Sequence, residues 1–274
     1  MRIVPLVLGA LICAAPAAAD FNAYYKGTQL DHGKEVPVAT QFSVTKGRCA
    51  MVFKGTRSAR MLFLEKEGVL RIVDDETKSI VDLDRQSLEH MQGDVASAME
   101  DVKAKMAQLP PEQRAMMEKM MQGTLKAPTA TVHDVYVRTE DKQTVNGYEC
   151  TRVNIMAGDQ KRAEYWGTTS SDFKLNQDDR NTVLAMQDYL RNYTLQVASM
   201  GGGGDDAQPR AFTWDTSVEG FPLISRCFHG ATMTLDLKLD ASDRKAVAGA
   251  LFEAPSGYKK REIPRLDAGG KKPR

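Results

Sequence analysis

The chain has 274 residues, with 37 Lys+Arg against 36 Asp+Glu. Hydrophobic residues make up 42% and charged ones 27%, a globular composition that excludes a mainly disordered or collagen-like chain. The near-neutral charge argues against a nucleic-acid binder, which needs an excess of cations to neutralise phosphates.

Residues 1–19 read as a signal peptide. Arg2 gives the positive end, Ile3 to Ala15 is an apolar run broken only by Pro5 and Gly9, and Ala17-Ala18-Ala19 offers the small residues a signal peptidase reads before Asp20. Cys13 follows the bulky Leu11-Ile12, which does not suit lipid attachment. The expected product is a periplasmic chain beginning at Asp20, without a transmembrane segment.

From Asp20 onward, short runs of strand character follow one another: Asn22 to Leu30, Val38 to Thr45, Arg48 to Lys54, Met61 to Lys66, Val69 to Val73 and Ser79 to Leu83. Turn-formers such as His32-Gly33, Lys46-Gly47 and Asp74-Asp75 separate them, so an antiparallel meander is expected. At Asp84 the period changes. Leu88, Met91, Val95, Met99, Val102 and Met106 form a stripe at helical spacing, and Pro110-Pro111 ends this helix and starts a second one bearing Met116, Met117, Met120 and Met121. A helical hairpin inserted into the sheet is therefore expected.

Strand patterning resumes in Thr131 to Arg138, Tyr148 to Met156 and Arg162 to Thr168. A further helix is expected over Asp178 to Ser199, with Val183, Met186, Leu190, Tyr193 and Val197 on one face. The Gly201 to Gly204 run with Asp205-Asp206 reads as a linker. Phe212 to Val218, Pro222 to Phe228 and Thr232 to Leu239 read as the last strands, residues 20–266 as one domain, and residues 267–274 as a disordered basic tail.

The mature chain keeps Cys49, Cys150 and Cys227, so at most one internal bridge forms. Counting alone leaves all three pairings open. Strand alternation puts Cys49 with Met51 and Phe53 on an apolar face, Cys150 with Arg152 and Asn154, and Cys227 with Ser225 and His229. The wetter faces favour a Cys150–Cys227 disulfide with Cys49 as a buried thiol.

Catalytic signatures are absent from the sequence. His32, His90, His133 and His229 are scattered, with no H-E-x-x-H, G-x-S-x-G or G-x-x-x-x-G-K pattern, so neither an enzyme nor a bound metal or cofactor is expected.

Several segments occur in an order that carries a resemblance: Leu70 to Asp84, Leu109-Pro110-Pro111-Glu112-Gln113-Arg114 with Met116-Met117-Glu118, Val145 to Cys150, Glu164-Tyr165-Trp166, Gly220 to Leu223 and Leu251 to Tyr258. Together they resemble the exported bacterial family called domain of unknown function 4412 and, more remotely, the periplasmic lipoprotein carriers. The resemblance implies an α+β fold, a curved antiparallel half-barrel sheet whose concave side is covered by helices, here the Met-rich hairpin and the further helix. It also implies a binding cavity, but no catalytic residues.

Seven of the 13 mature methionines lie between Met91 and Met121. Thioether side chains are flexible and polarizable, so a face of them adapts either to a core or to an irregular apolar guest. The candidate ligand-binding residues are Met91, Val95, Met99, Val102, Met106, Met117, Met120 and Met121, and the expected partner is a lipid or an acylated protein. A chaperone-like protein-interaction module, and copper bound by thioethers near His90, are the alternatives.

Overall fold

The structure, a computed structural model, describes residues 20–56, 58–87, 134–169, 171–173, 175–199 and 221–261, with scattered positions between 89 and 114. The strands are β1 (Phe21–Asp31), β2 (Lys34–Thr45), β3 (Arg48–Lys54), β4 (Ser58–Leu64), β5 (Val69–Asp74), β6 (Ser79–Leu83), β7 (Val135–Val145), β8 (Tyr148–Ala157), β9 (Gln160–Thr168), β10 (Phe221–His229), β11 (Thr232–Arg244) and β12 (Lys259–Lys260), and the long helix is α1 (Gln177–Ser199). All twelve strands belong to one sheet, in the order β12-β6-β5-β4-β3-β2-β1-β11-β10-β9-β8-β7.

Two antiparallel meanders, β1 to β6 and β7 to β11, make up this sheet, and the seam where β1 pairs with β11 joins them. Short turns make the meanders possible. His32-Gly33 and Asn146-Gly147 each connect two strands with both residues at positive φ, the backbone that two-residue hairpins require. Asn tolerates that region because its short side chain bonds locally, and Gly has no Cβ to clash.

Alternation along the strands sorts side chains onto two faces. One face carries Phe21, Tyr25, Phe42, Met51, Phe63, Leu70, Ile155, Tyr165 and Leu237, all buried, with α1 packed over it through Val183, Met186 and Leu190. Each such large apolar side chain contributes about 1.5–3 kcal/mol relative to exposure. The opposite face of the first meander carries a second core of Ala50, Leu62, Leu64, Val69, Val73 and Ile80, closed by Phe252 with Leu251, Val247 and Tyr258 of the returning C-terminal segment. The Arg48 guanidinium lies 4.7 Å from the Phe252 ring centre.

The expected architecture needs two corrections. The sheet is mixed: β12 runs parallel to β6 after the chain has crossed the second core. Among the described residues, the Met-rich helical hairpin expected on the concave side is not found packed on the sheet; the twelve strands dominate, and the packing position over β2 and β3 belongs to α1. Helical period reports backbone conformation, and positions 85–87, 104 and 106–107 are indeed helical, but it does not report which surface a helix covers or whether two helices pair. The candidate strand Phe212 to Val218, residues 1–19 and the tail at 267–274 lie outside the described residues.

Candidate functional site

The α1 face of the sheet carries the larger of the two buried apolar clusters among the described residues. Helix α1 is fixed on it by directional contacts as well as by burial. Asn176 Oδ1 accepts the Asp179 backbone N–H at 2.8 Å, an N-cap that satisfies an otherwise orphaned donor. The Gly47 N–H donates to Thr182 Oγ1 at 2.9 Å, Arg244 pairs with Asp179 at 2.7 Å, and the Tyr189 hydroxyl donates to the Leu83 carbonyl. Burial pushes the Asp179 carboxyl up, and the Arg244 bond offsets this only in part. These groups position the helix over the first meander.

At the end of the face near the seam, Phe21, Phe173 and Phe221 form an aromatic cluster, with Phe173 stacked on Phe221 at 4.5 Å and Phe21 edge-on to both. Tyr25 is fully buried, and its hydroxyl donates to the Pro222 carbonyl at 2.8 Å. Polar atoms on this face include the tyrosine hydroxyls and two buried aliphatic ones. The Thr40 and Ser225 hydroxyls are buried with no hydrogen-bond partner. Thr40 stands opposite Tyr25 and Phe53, and Ser225 opposite Leu237 and Tyr165, which places both hydroxyls on the apolar side. Each buried hydroxyl without a partner costs about 1–3 kcal/mol. Sequence reading missed them, although alternation alone had already placed Ser225 beside Cys227.

On the opposite side of the second meander an ion-pair network joins the last strands. Arg226 bridges Glu164 and Asp236 at 3.0 Å each, and Lys161 adds a contact to Glu164 at 2.8 Å while lying 4.3 Å from the Phe228 ring centre. Burial pushes the Glu164 carboxyl up, but the hydrogen bonds from Lys161 and Arg226 outweigh it and hold the group below the usual carboxylate range. Its charge therefore pins β9, β10 and β11 together.

Of the eight ligand-binding candidates, Met106 is described: its backbone is helical, its side chain is buried, and its carbonyl accepts from Arg114 Nε at 3.2 Å. Met91, Val95, Met99, Val102, Met117, Met120 and Met121 lie outside the described residues, as does His133. Among the described residues, no three His, Cys, Asp or Glu side chains gather as metal ligands, and no helix is long and apolar enough to cross a membrane.

The expected Cys150–Cys227 bridge is corrected. None of the three cysteines is in a disulfide. Cys227 and Ile155 both oppose Ala163, so Cys150 lies five residues along β8 and two strands away from Cys227. At about 3.3 Å per residue and 4.8 Å per strand the separation is roughly 19 Å, whereas a disulfide needs Cα atoms within about 7 Å. Cys150 is fully buried, and burial pushes its thiol up to about 11. Burial, then the nearby Asp179 and Glu65 carboxylates, also push the Cys49 thiol well above its ordinary value. A small thiol reagent at neutral pH will leave both unlabelled until denaturant is added, since the thiolate is the reactive form. A Cys150–Cys227 peptide in non-reducing mapping would contradict this register.

No family model matches the chain, and no curated protein matches it. Three solved structures are similar in part. The crystal structure of MucB is 12% identical with a TM-score of 0.33, over 87% of this chain and 58% of that one. The complex structure of Pseudomonas aeruginosa MucA/MucB is 10% identical with a TM-score of 0.34, over 86% and 56%. The crystal structure of MucB in complex with MucA(peri) is 10% identical with a TM-score of 0.33, over 87% and 55%. The chain thus spans less than three fifths of the chains it matches, and a likeness of this size carries no functional argument.

Proposed function

We propose that this chain is an exported, non-enzymatic binding protein, related to the domain of unknown function 4412 family, that holds an amphipathic ligand with an acyl chain against the α1 face of its sheet. The observation that carries this reading is the pair of unpartnered hydroxyls, Thr40 and Ser225, on an otherwise apolar face. A guest with a hydrocarbon body and an ester or amide carbonyl supplies what both parts of that surface lack. The apolar wall takes the chain, and a hydroxyl donates to the carbonyl. The export signal and the methionine-rich segment from Met91 to Met121 support the same reading.

The test is titration of the purified mature chain with a fluorescent fatty-acid ester. Saturable binding is expected, and Thr40→Val with Ser225→Ala should weaken it by about tenfold, one hydrogen bond's worth of affinity. The same substitutions should leave the ligand-free protein equally or more stable, because they remove orphaned polar atoms while keeping shape. Met99→Gln with Met120→Gln should also weaken binding if the methionine-rich segment contributes. No saturable binding in the parent, or binding indifferent to all four substitutions, would overturn the reading.

A further inference from the structure

An open sheet has two edges, and this one protects them differently. At one end β7 carries a register shift between Arg138 and Lys142, with Asp141 paired to Arg152 and Lys142 to Glu149. A bulge dressed with charges resists pairing with another strand. At the other end β6 pairs with β5 without irregularity, and Ser79, Ile80 and Leu83 are buried. Among the described residues, what covers the β6 edge is the chain's own β12, two residues long.

That cover is slight. The Lys259 N–H donates to the Lys78 carbonyl at 2.9 Å and the Arg261 N–H to the Ile80 carbonyl at 2.8 Å. Lys260 reaches Asp82 at 3.1 Å with most of its own side chain exposed, and Asp82 is already held by Arg71 at 2.6 Å. Tyr258 donates to Asp75 at 3.0 Å. The carbonyls used show which backbone groups of β6 point outward: those of the even-numbered residues, Lys78, Ile80 and Asp82.

We propose that the β6 edge is a latent pairing surface for a second copy of this chain, masked by β12. The geometry is self-complementary. An antiparallel pairing centred on Val81 sets Ile80 opposite the partner copy's Asp82 and Asp82 opposite its Ile80. The outward N–H and C=O groups of both residues then exchange four hydrogen bonds across the two-fold axis. No carboxylate faces another, because each Asp82 meets an isoleucine. Just beyond the strand ends the same register puts Lys78 opposite Asp84 on both sides, two opposite-charge pairs. The half-buried Val81 packs on its own copy, continuing the apolar face. Interfaces of this kind are isologous and close at two copies.

The experiment uses the full mature chain with Lys259→Pro and Arg261→Pro, which remove the two donors that β12 offers. Sedimentation should show a monomeric parent and a variant of doubled mass, with an unchanged far-ultraviolet circular dichroism spectrum. The Ile80 and Asp82 amides should remain protected from hydrogen exchange in the dimer. Adding Lys78→Glu, which sets two carboxylates against each other at each end, should return the variant to monomer. If the double proline variant does not fold, Lys260→Glu, which repels Asp82, gives the same readouts. A parent that is already dimeric, a released variant that stays monomeric with fast-exchanging Ile80 and Asp82 amides, or open-ended assemblies indifferent to Lys78→Glu would each overturn the proposal.

Discussion

Gly27→Ala should destabilise the protein by about 4 kcal/mol or more, among the largest effects a single methyl group can produce. A Cβ at this position would stand 1.7 Å from the Asp236 carbonyl oxygen, 2.7 Å from its carbon and 3.0 Å from the Leu237 Cα. All three are backbone atoms, so no side-chain rotation relieves the clash, and the strands themselves must separate. Gly27 pairs with Leu237 in the middle of the β1–β11 seam, the one place where the two meanders are joined. Denaturant unfolding should show the loss, with hydrogen exchange rising along β1 and β11 before the outer strands. A change below about 1 kcal/mol would mean that the two backbones do not approach this closely.

Arg226→Met should cost about 3 kcal/mol at neutral pH, the lower end of the range for removing one partner of a buried pair, because the guanidinium is itself a third exposed. It would leave Glu164, 5% exposed, with the half-exposed Lys161 as its salt-bridge partner. The sign of the pH dependence should change as well. In the parent, the Glu164 carboxyl titrates below its unfolded value, so its contribution is fully present above the unfolded pKa and is lost as pH falls through the folded one. Without Arg226, burial becomes the dominant influence and raises the folded pKa. The variant should then gain stability relative to the parent as the solution is acidified through the carboxylate range. Chemical denaturation of both proteins at a series of pH values measures this, and parallel curves would show that Arg226 does not govern Glu164.

The features that could be read from sequence are those with a short period. Alternation marked the strands, and His32-Gly33 and Lys46-Gly47 marked turns, because two-residue periodicity and positive-φ residues are local properties. The stripe of Val183, Met186 and Leu190 marked α1 for the same reason: its period matches the helix, and all three side chains are buried. What failed was everything that depends on register between distant segments. Alternation puts Cys150 and Cys227 on faces but says nothing about how far apart they lie along neighbouring strands, and a slip of five positions excludes their bridge. Glu164, Arg226 and Asp236 meet only because β9, β10 and β11 pair in one particular offset. A two-residue parallel strand such as β12 has no period to detect. Of the stripe from Leu88 to Met106, Met106 is described and its backbone is helical, but a place on the sheet is decided by what else competes for it, and α1 takes the position over β2 and β3.

The direct test of the ligand is native mass spectrometry of the protein purified from the exported fraction of its own cells. The expected spectrum shows a polypeptide mass beginning at Asp20, accompanied by a lipid or acylated adduct that is diminished in the Thr40→Val, Ser225→Ala variant. A bare polypeptide mass from every preparation, or a co-purifying protein unaffected by those two substitutions, would contradict an apolar ligand on the α1 face.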